Sequence, residues 1–265
     1  MSFIEDPTRI YRAIRFEQRF GFKIARHTQN LIHSATKIDL FHRLGGKRLF
    51  TELVLLLREG DPAKPVARLS EFDLFRFIHP ELQWNSEISS LFQKIKDALA
   101  WYRLLFLGKK YEPWLVYLYA LMDQLSAEAT TGMCQRLNIK ETLLEKVTIT
   151  KKESNNLLQT LYSMKTLKLS SLYTKLSGQS QETLLYLMAK ANQENAVKGI
   201  SLYISHLQDI QLSITGGELK QFGIKPGPLF GKIMNQTLCA KLDGIVKTRE
   251  EELEYAGKLL KQENI

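Results

Sequence analysis

The chain has 265 residues, 44% of them hydrophobic and 25% charged, ordinary proportions for a globular protein with room for one large core or two to three small ones. Its formal net charge of +9 and pI of about 9.4 favour a polyanionic partner, nucleic acid first. No apolar run approaches the ~18 residues of a membrane span, no signal-peptide layout opens the chain, and Cys134 and Cys239 match no metal spacing. These features predict a cytoplasmic protein with reduced thiols and no membrane partner.

The charge is uneven. Residues 1–70 hold thirteen Lys and Arg against seven Asp and Glu, so +6 of the +9 lies in the first quarter. That quarter opens on Glu5-Asp6-Pro7-Thr8-Arg9, followed by Arg12, Arg15 and Arg19. At 100° per residue the arginines fall on one side of a helix, and Ile10, Ala13, Ile14, Phe16 and Phe20 on the other. Pro7 suits the first turn, the acids suit the positive end of the dipole, and Gly21 supplies a stop.

Helical periodicity continues and alternating strand patterns are nearly absent. Thr28 is a cap for a second helix carrying Leu31, Ile32, Ala35 and Ile38 inward. A short amphipathic piece at 40–44 ends at Gly45-Gly46, and a third helix runs from 48 to 59. Gly60-Asp61-Pro62 and Pro65 mark a boundary. Further helices are predicted at 66–72, 86–107, 114–125, two or three between 127 and 169, then 172–176, 181–191 and 194–207. Lys151-Lys152, Lys165 and Lys168 are expected to be solvated charge. In the last 55 residues Gly227-Pro228, with Gly231-Lys232 behind it, opens a helix. Its free amides and nearby lysine suit a phosphate, or else make a plain connection with Pro at the first position. Thr248 caps a final helix with Glu250 to Glu252 in its first turn.

The chemistry of a catalytic centre is missing. There is no phosphate-binding GxxxxGK[ST] loop, no GxGxxG after a strand, and no Gly-Ser followed by an Asp-x-Asp pair to hold two metals. The five histidines are scattered, and no Ser or Cys stands in a nucleophile-elbow context, so neither catalytic nor metal-ligating residues are expected. What remains is Asp6 with Arg9. One turn apart at a helix mouth, an acceptor beside a fork of donors can read a base edge, at roughly 1–3 kcal/mol of discrimination per bidentate contact. The other reading is a solvated intrahelical ion pair worth about 0.2–0.5 kcal/mol.

The stretch from Glu5 to Phe22, with Glu5-Asp6-Pro7-Thr8-Arg9 followed by Arg12-Ala13-Ile14-Arg15-Phe16 and Arg19-Phe20-Gly21-Phe22, resembles the EDxxR motif and following helix of class II tRNA nucleotidyltransferases, a family of CCA-adding and A-adding enzymes and bacterial poly(A) polymerases. Arg48-Leu49-Phe50-Thr51-Glu52 resembles that family's neck helix, and Ile78-His79-Pro80-Glu81-Leu82 its FPEL turn. Thr215-Gly216-Gly217-Glu218-Leu219 and Gly223-Ile224-Lys225-Pro226-Gly227-Pro228 resemble the tail of its longer bacterial members.

The resemblance implies an all-α chain, an elongated helical array of neck (1–62), body (63–210) and tail (211–265). It implies that Asp6 and Arg9 template the base of incoming ATP or CTP, that Arg12 and Arg15 also contact the nucleotide, and that Glu5, Arg48 and Glu52 brace the pocket. It further implies that Lys225, Gly227 and Lys232 of the tail meet tRNA, whose acceptor stem and elbow the body and tail would hold. The family's head, with its metal-binding carboxylates, is not among these residues, so this chain is expected to hold no cofactor of its own and to be inactive alone. Mg2+ and ATP/CTP are implied only for a complete enzyme with the head supplied in cis or trans. A non-catalytic helical RNA-binding protein, a poly(A) polymerase fragment and a helical scaffold meeting another protein are the alternatives.

Overall fold

The structure, a computed structural model, describes Phe3 and residues 5–37, 44–164, 166, 168–215, 217–218 and 227–263. Among these residues there are thirteen α-helices and no strand, as the periodicity predicts. No helix among them is long and apolar enough to cross a membrane. Ile38, the piece expected at 40–44 apart from Leu44, Lys165, and most of the two tail motifs, Lys225 included, lie outside the described residues.

The chain forms two compact units, Met1–Asn156 with Ser180–Lys190, and Leu157–Gln179 with Ala191–Ile265. The first unit begins with α1 (Thr8–Phe20), α2 (Arg26–Lys37), α3 (Gly46–Leu57) and α4 (Ala63–Glu71). Helix α1 packs on α3 and α4. Ile10, Tyr11 and Ile14 are buried there, as are Leu49, Leu53, Leu56 and Leu57 of α3 and Val66 and Leu69 of α4. The Tyr11 hydroxyl donates to the Leu74 carbonyl at 3.3 Å, which closes the polar end of that core. Helices α5 (Ser86–Leu104), α6 (Pro113–Leu121), α7 (Ala127–Arg136) and α8 (Glu141–Ser163) follow. After α9 (Leu169–Leu176) the chain returns to this unit with α10 (Gln181–Lys190), which packs on α5 and α6. Every residue of α6 from Leu115 to Leu121 is buried, so its sequence is apolar on all sides.

The second unit holds α9, α11 (Glu194–Leu202), a π-helical turn at Tyr203–Leu207, α12 (Pro228–Leu242) and α13 (Arg249–Glu263). Ile214, Ile233, Ala256 and Leu260 form a core between α12 and α13. Thr248 caps α13 as expected. Its hydroxyl accepts from the Glu251 amide at 3.2 Å, and the Glu251 carboxylate accepts in return from the Lys247 and Thr248 amides.

Several local expectations are corrected. Helix α2 begins at Arg26, which puts Thr28 inside its first turn rather than at the cap. Helix α4 starts at Ala63, because Pro62 and Pro65 occupy first-turn positions where proline lacks no needed donor. The aromatic side of α1 is not core: Phe16 is half-buried and Phe20 is 56% exposed, while Tyr11 and Glu17 take the inward positions. Lys151 is no solvated charge. Its ammonium donates to the Met122 carbonyl at 3.1 Å and to that of Asp123, and burial pulls its pKa down. Lys168, by contrast, stays 62% exposed, as expected, while pairing with Asp243 at 3.2 Å.

Candidate nucleotide-recognition site

The N-terminal turn of α1 is built around Asp6. Its Oδ1 accepts from the Thr8 hydroxyl at 2.6 Å and the Thr8 amide at 3.2 Å, so the carboxylate caps the turn from just outside it. Arg48, on the first turns of α3, brings Nη2 to 3.0 Å from the same oxygen. The Thr8 hydroxyl is the main cause that holds Asp6 below the usual carboxylate range. Burial opposes it, and the Thr8 amide, Arg48 and Arg9 add to it. All three close contacts go to Oδ1. Among the described residues Oδ2 has none.

Arg9 follows one turn later and is half-buried. It makes no ion pair with Asp6. Neither its guanidinium nor that of Arg12 has a hydrogen bond or ion pair among the described residues. The intrahelical ion pair is therefore not what forms: Asp6 turns to Arg48 on α3 and leaves the Arg9 fork open. An ionised acceptor and a free fork of donors thus stand side by side at one helix mouth, the arrangement that can hydrogen-bond the edge of a nucleobase.

Glu52, one helical turn beyond Arg48 on α3, lies behind this pair. Burial raises its pKa, Arg15 and Arg12 work against the rise, Asp6 adds to it and Arg48 opposes it, so all five side chains share one electrostatic neighbourhood. Its Oε2 is buried and makes no hydrogen bond. Arg15 also faces Glu59, with Nη1 3.6 Å from Glu59 Oε1 and its guanidinium 4.8 Å from the Phe16 ring centre. Glu5 is exposed, without a hydrogen bond or ion pair among the described residues. Of the tail residues, Gly227 is in extended conformation immediately before α12, and Lys232 is exposed on that helix.

One supporting residue escaped the sequence reading. Glu17 is buried on the inward face of α1 and accepts from the Ile24 amide at 2.9 Å and from Arg68 Nε at 2.9 Å. Burial works to raise its pKa, but the Ile24 amide and Arg68 hold it below the usual range. This pins the turn after α1 and the start of α2 to α4. The only signal in the sequence is an acid at an inward helical position, three residues beyond Ile14.

Among the described residues no group of three or more His, Cys, Asp or Glu side chains could hold a metal ion. The Mg2+ implied for a complete enzyme thus finds no ligand set among them.

The family profile described as "Probable RNA and SrmB-binding site of polymerase A" matches residues 21–85. The A-adding tRNA nucleotidyltransferase of Geobacter sulfurreducens is 41% identical over 263 residues, which is 98% of this chain and 30% of that protein. The Thermotoga maritima CCA-adding enzyme complexed with tRNA_CCA superposes with a TM-score of 0.80 at 26% identity, over 98% of this chain and 62% of that one. CCA-adding enzyme structures with ATP and with CTP give TM-scores of 0.76 and 0.78 at 28% and 27% identity, over 95% and 99% of this chain and 59% and 61% of theirs. Over almost its whole length the chain is similar to tRNA nucleotidyltransferases, whose C-terminal part it matches. It spans less than a third of the Geobacter relative's length and about three fifths of the solved structures.

Proposed function

We propose that this chain is the nucleotide-selecting and tRNA-holding part of a tRNA nucleotidyltransferase that adds AMP, or CMP and AMP, to tRNA 3′ ends. The observation that carries the reading is the divided use of Asp6: Oδ1 contacts Thr8 and Arg48, while among the described residues neither Oδ2 nor the nearby Arg9 fork has a hydrogen bond or ion pair. Held this way, Asp6 presents an acceptor and Arg9 donors to an incoming ATP or CTP. Arg12 and Arg15 continue the cationic ladder toward the rest of the nucleotide, with Arg48 and Glu52 fixing the frame and Glu5 at its rim. The neck (1–62) carries this reader, and the body (63–210) and tail (211–265) hold tRNA through backbone contacts, with Lys225, Gly227 and Lys232 on the tail. Chemistry belongs to a head domain bearing the Mg2+-binding carboxylates, working with this chain in the cytoplasm.

The test is nucleotide choice with a head domain supplied. Asp6→Ala and Arg9→Ala are expected to change which nucleotide is incorporated while tRNA affinity stays near wild type. Loss of tRNA binding with unchanged nucleotide choice would favour the non-catalytic RNA-binding alternative.

A further inference from the structure

The far end of the arginine ladder opens into a cavity of about 510 Å³ between the C-terminal half of α1, the end of α3 and the start of α4. Arg15, Arg19, Arg58 and Lys64 line it, against the two acids Glu59 and Asp61. Neither acid is in close contact with a cation that lines the cavity. Glu59 stands 3.6 Å from Arg15 and 3.9 Å from Arg19, both too long for hydrogen bonds. Asp61 is 3.8 Å from Lys64 and accepts a 3.5 Å hydrogen bond from Lys96, which does not line the cavity. Only Arg58 is closely paired, 3.1 Å from Glu112, with its guanidinium 5.8 Å from the Trp114 ring centre. The Arg15 side chain is only 12% exposed, and its Nε is buried without a hydrogen-bond partner. Arg15 lines the cavity at this long distance from Glu59, and a tetrahedral oxyanion there would offer its guanidinium closer acceptors.

We infer that this cavity is a phosphate-binding site, separate from the base reader, that receives one phosphate group of the RNA or nucleotide held on α1. The inference rests on the proposed function and extends it along the helix. Arg9 and Arg19 are ten residues apart, about 15 Å at the rise of an α-helix, so the base reader and the cavity sit at opposite ends of one element. Glu59 lies between Arg15 and Arg19 at long range from both. An incoming phosphate takes over both guanidinium groups, with Lys64 and Arg58 closing the other side. Two sources share this chemistry: a backbone phosphate of RNA and the triphosphate of ATP.

Binding of the 265-residue chain to an acceptor-stem RNA hairpin with an unpaired 3′ end, and separately to ATP, tests the site across a salt series. Arg19 and Lys64 side chains are 54% and 65% exposed, so the double variant Arg19→Ala/Lys64→Ala is expected to fold as the wild type does. It should weaken RNA binding and reduce the slope of log affinity against log salt by about 1. Glu59→Gln, which removes the competing carboxylate, should do the reverse and tighten binding by about threefold, the scale of a partly exposed ion pair. The same pair of effects on ATP, with RNA unaffected, would assign the phosphate to the nucleotide. Wild-type affinity and slope for both ligands in both variants would overturn the site while leaving the base reader standing. A wild-type chain that binds neither ligand would contradict the site and the proposed function together.

Discussion

Arg48 on α3 and Asp6 at the mouth of α1 are joined by a 3.0 Å ion pair across two helices that the sequence separates by 42 positions. The pair decides what Asp6 does. Because Oδ1 is shared between Arg48 and Thr8, the carboxylate is fixed in direction before any ligand arrives, and preorganised polar groups lose little on binding. Arg48 is 61% exposed, so Arg48→Ala should cost less than about 1 kcal/mol of stability. Its effect should instead fall on nucleotide choice, weakening discrimination in the same direction as Asp6→Ala but less.

The Thr8 hydroxyl is the strongest influence on Asp6. Thr8→Val keeps the shape of this buried side chain and removes the donor. It should destabilise the chain by about 1 kcal/mol, read as a lowered Tm, and move the Asp6 pKa back up toward its ordinary value of 3.8. An NMR titration of the Asp6 carboxyl would report the second effect. A Tm drop without a pKa change would mean that the hydroxyl supports packing alone.

In the second unit, the fully buried Glu252 accepts from the Ser213 amide at 2.7 Å and the Ile214 amide at 3.1 Å, and Lys241 Nζ is 2.7 Å from its other oxygen. Burial works to raise its pKa, but Lys241 and the two amides hold it below the ordinary 4.5. A depressed folded-state pKa gives stability that is complete above the unfolded value and lost as pH falls through the folded one. The unit should therefore hold its Tm above pH 4.5 and lose it below. Glu252→Gln should lower stability at neutral pH by about 3 kcal/mol and flatten that acid limb. Thermal melts of both proteins from pH 3 to 7 on the order of half-unit steps would check it; an equally steep acid limb in the variant would assign the loss to other carboxylates.

Gly46 begins α3 against the end of α7. A Cβ there would lie 2.0 Å from the Arg136 carbonyl oxygen, a backbone atom that cannot swing aside. Gly46→Ala should cost about 1–3 kcal/mol, although alanine favours helices. A Tm equal to wild type would show that α7 can withdraw freely.

These examples show what the sequence carries and what it does not. The helices were legible because periodicity and caps are local: Gly21 ends α1 in the left-handed conformation, and Thr248 caps α13. The candidate reader was legible in part. Asp6 and Arg9 stand out by spacing, yet that spacing equally describes an ion pair, and nothing local announces that Asp6 pairs with Arg48, far along the chain, instead of with Arg9. Tertiary burial of polar groups left little local trace. Glu17 reads as one more surface acid and Lys151 as solvated charge, until the partners that bury them are seen. The aromatic side of α1 departs from the periodicity for a related reason: Phe16 and Phe20 match the helical period, but Tyr11 joins Ile10 and Ile14 in the core.

The central claim is that Asp6 and Arg9 choose the base. Its most direct measurement is the relative rate at which each of the four nucleoside triphosphates is added to tRNA by the protein carrying a catalytic head, compared between wild type and Arg9→Ala. Loss of the guanidinium fork removes roughly 1–3 kcal/mol of discrimination, so the preference for the correct nucleotide should fall by about tenfold or more while tRNA affinity holds. An unchanged preference in the folded variant would contradict the account.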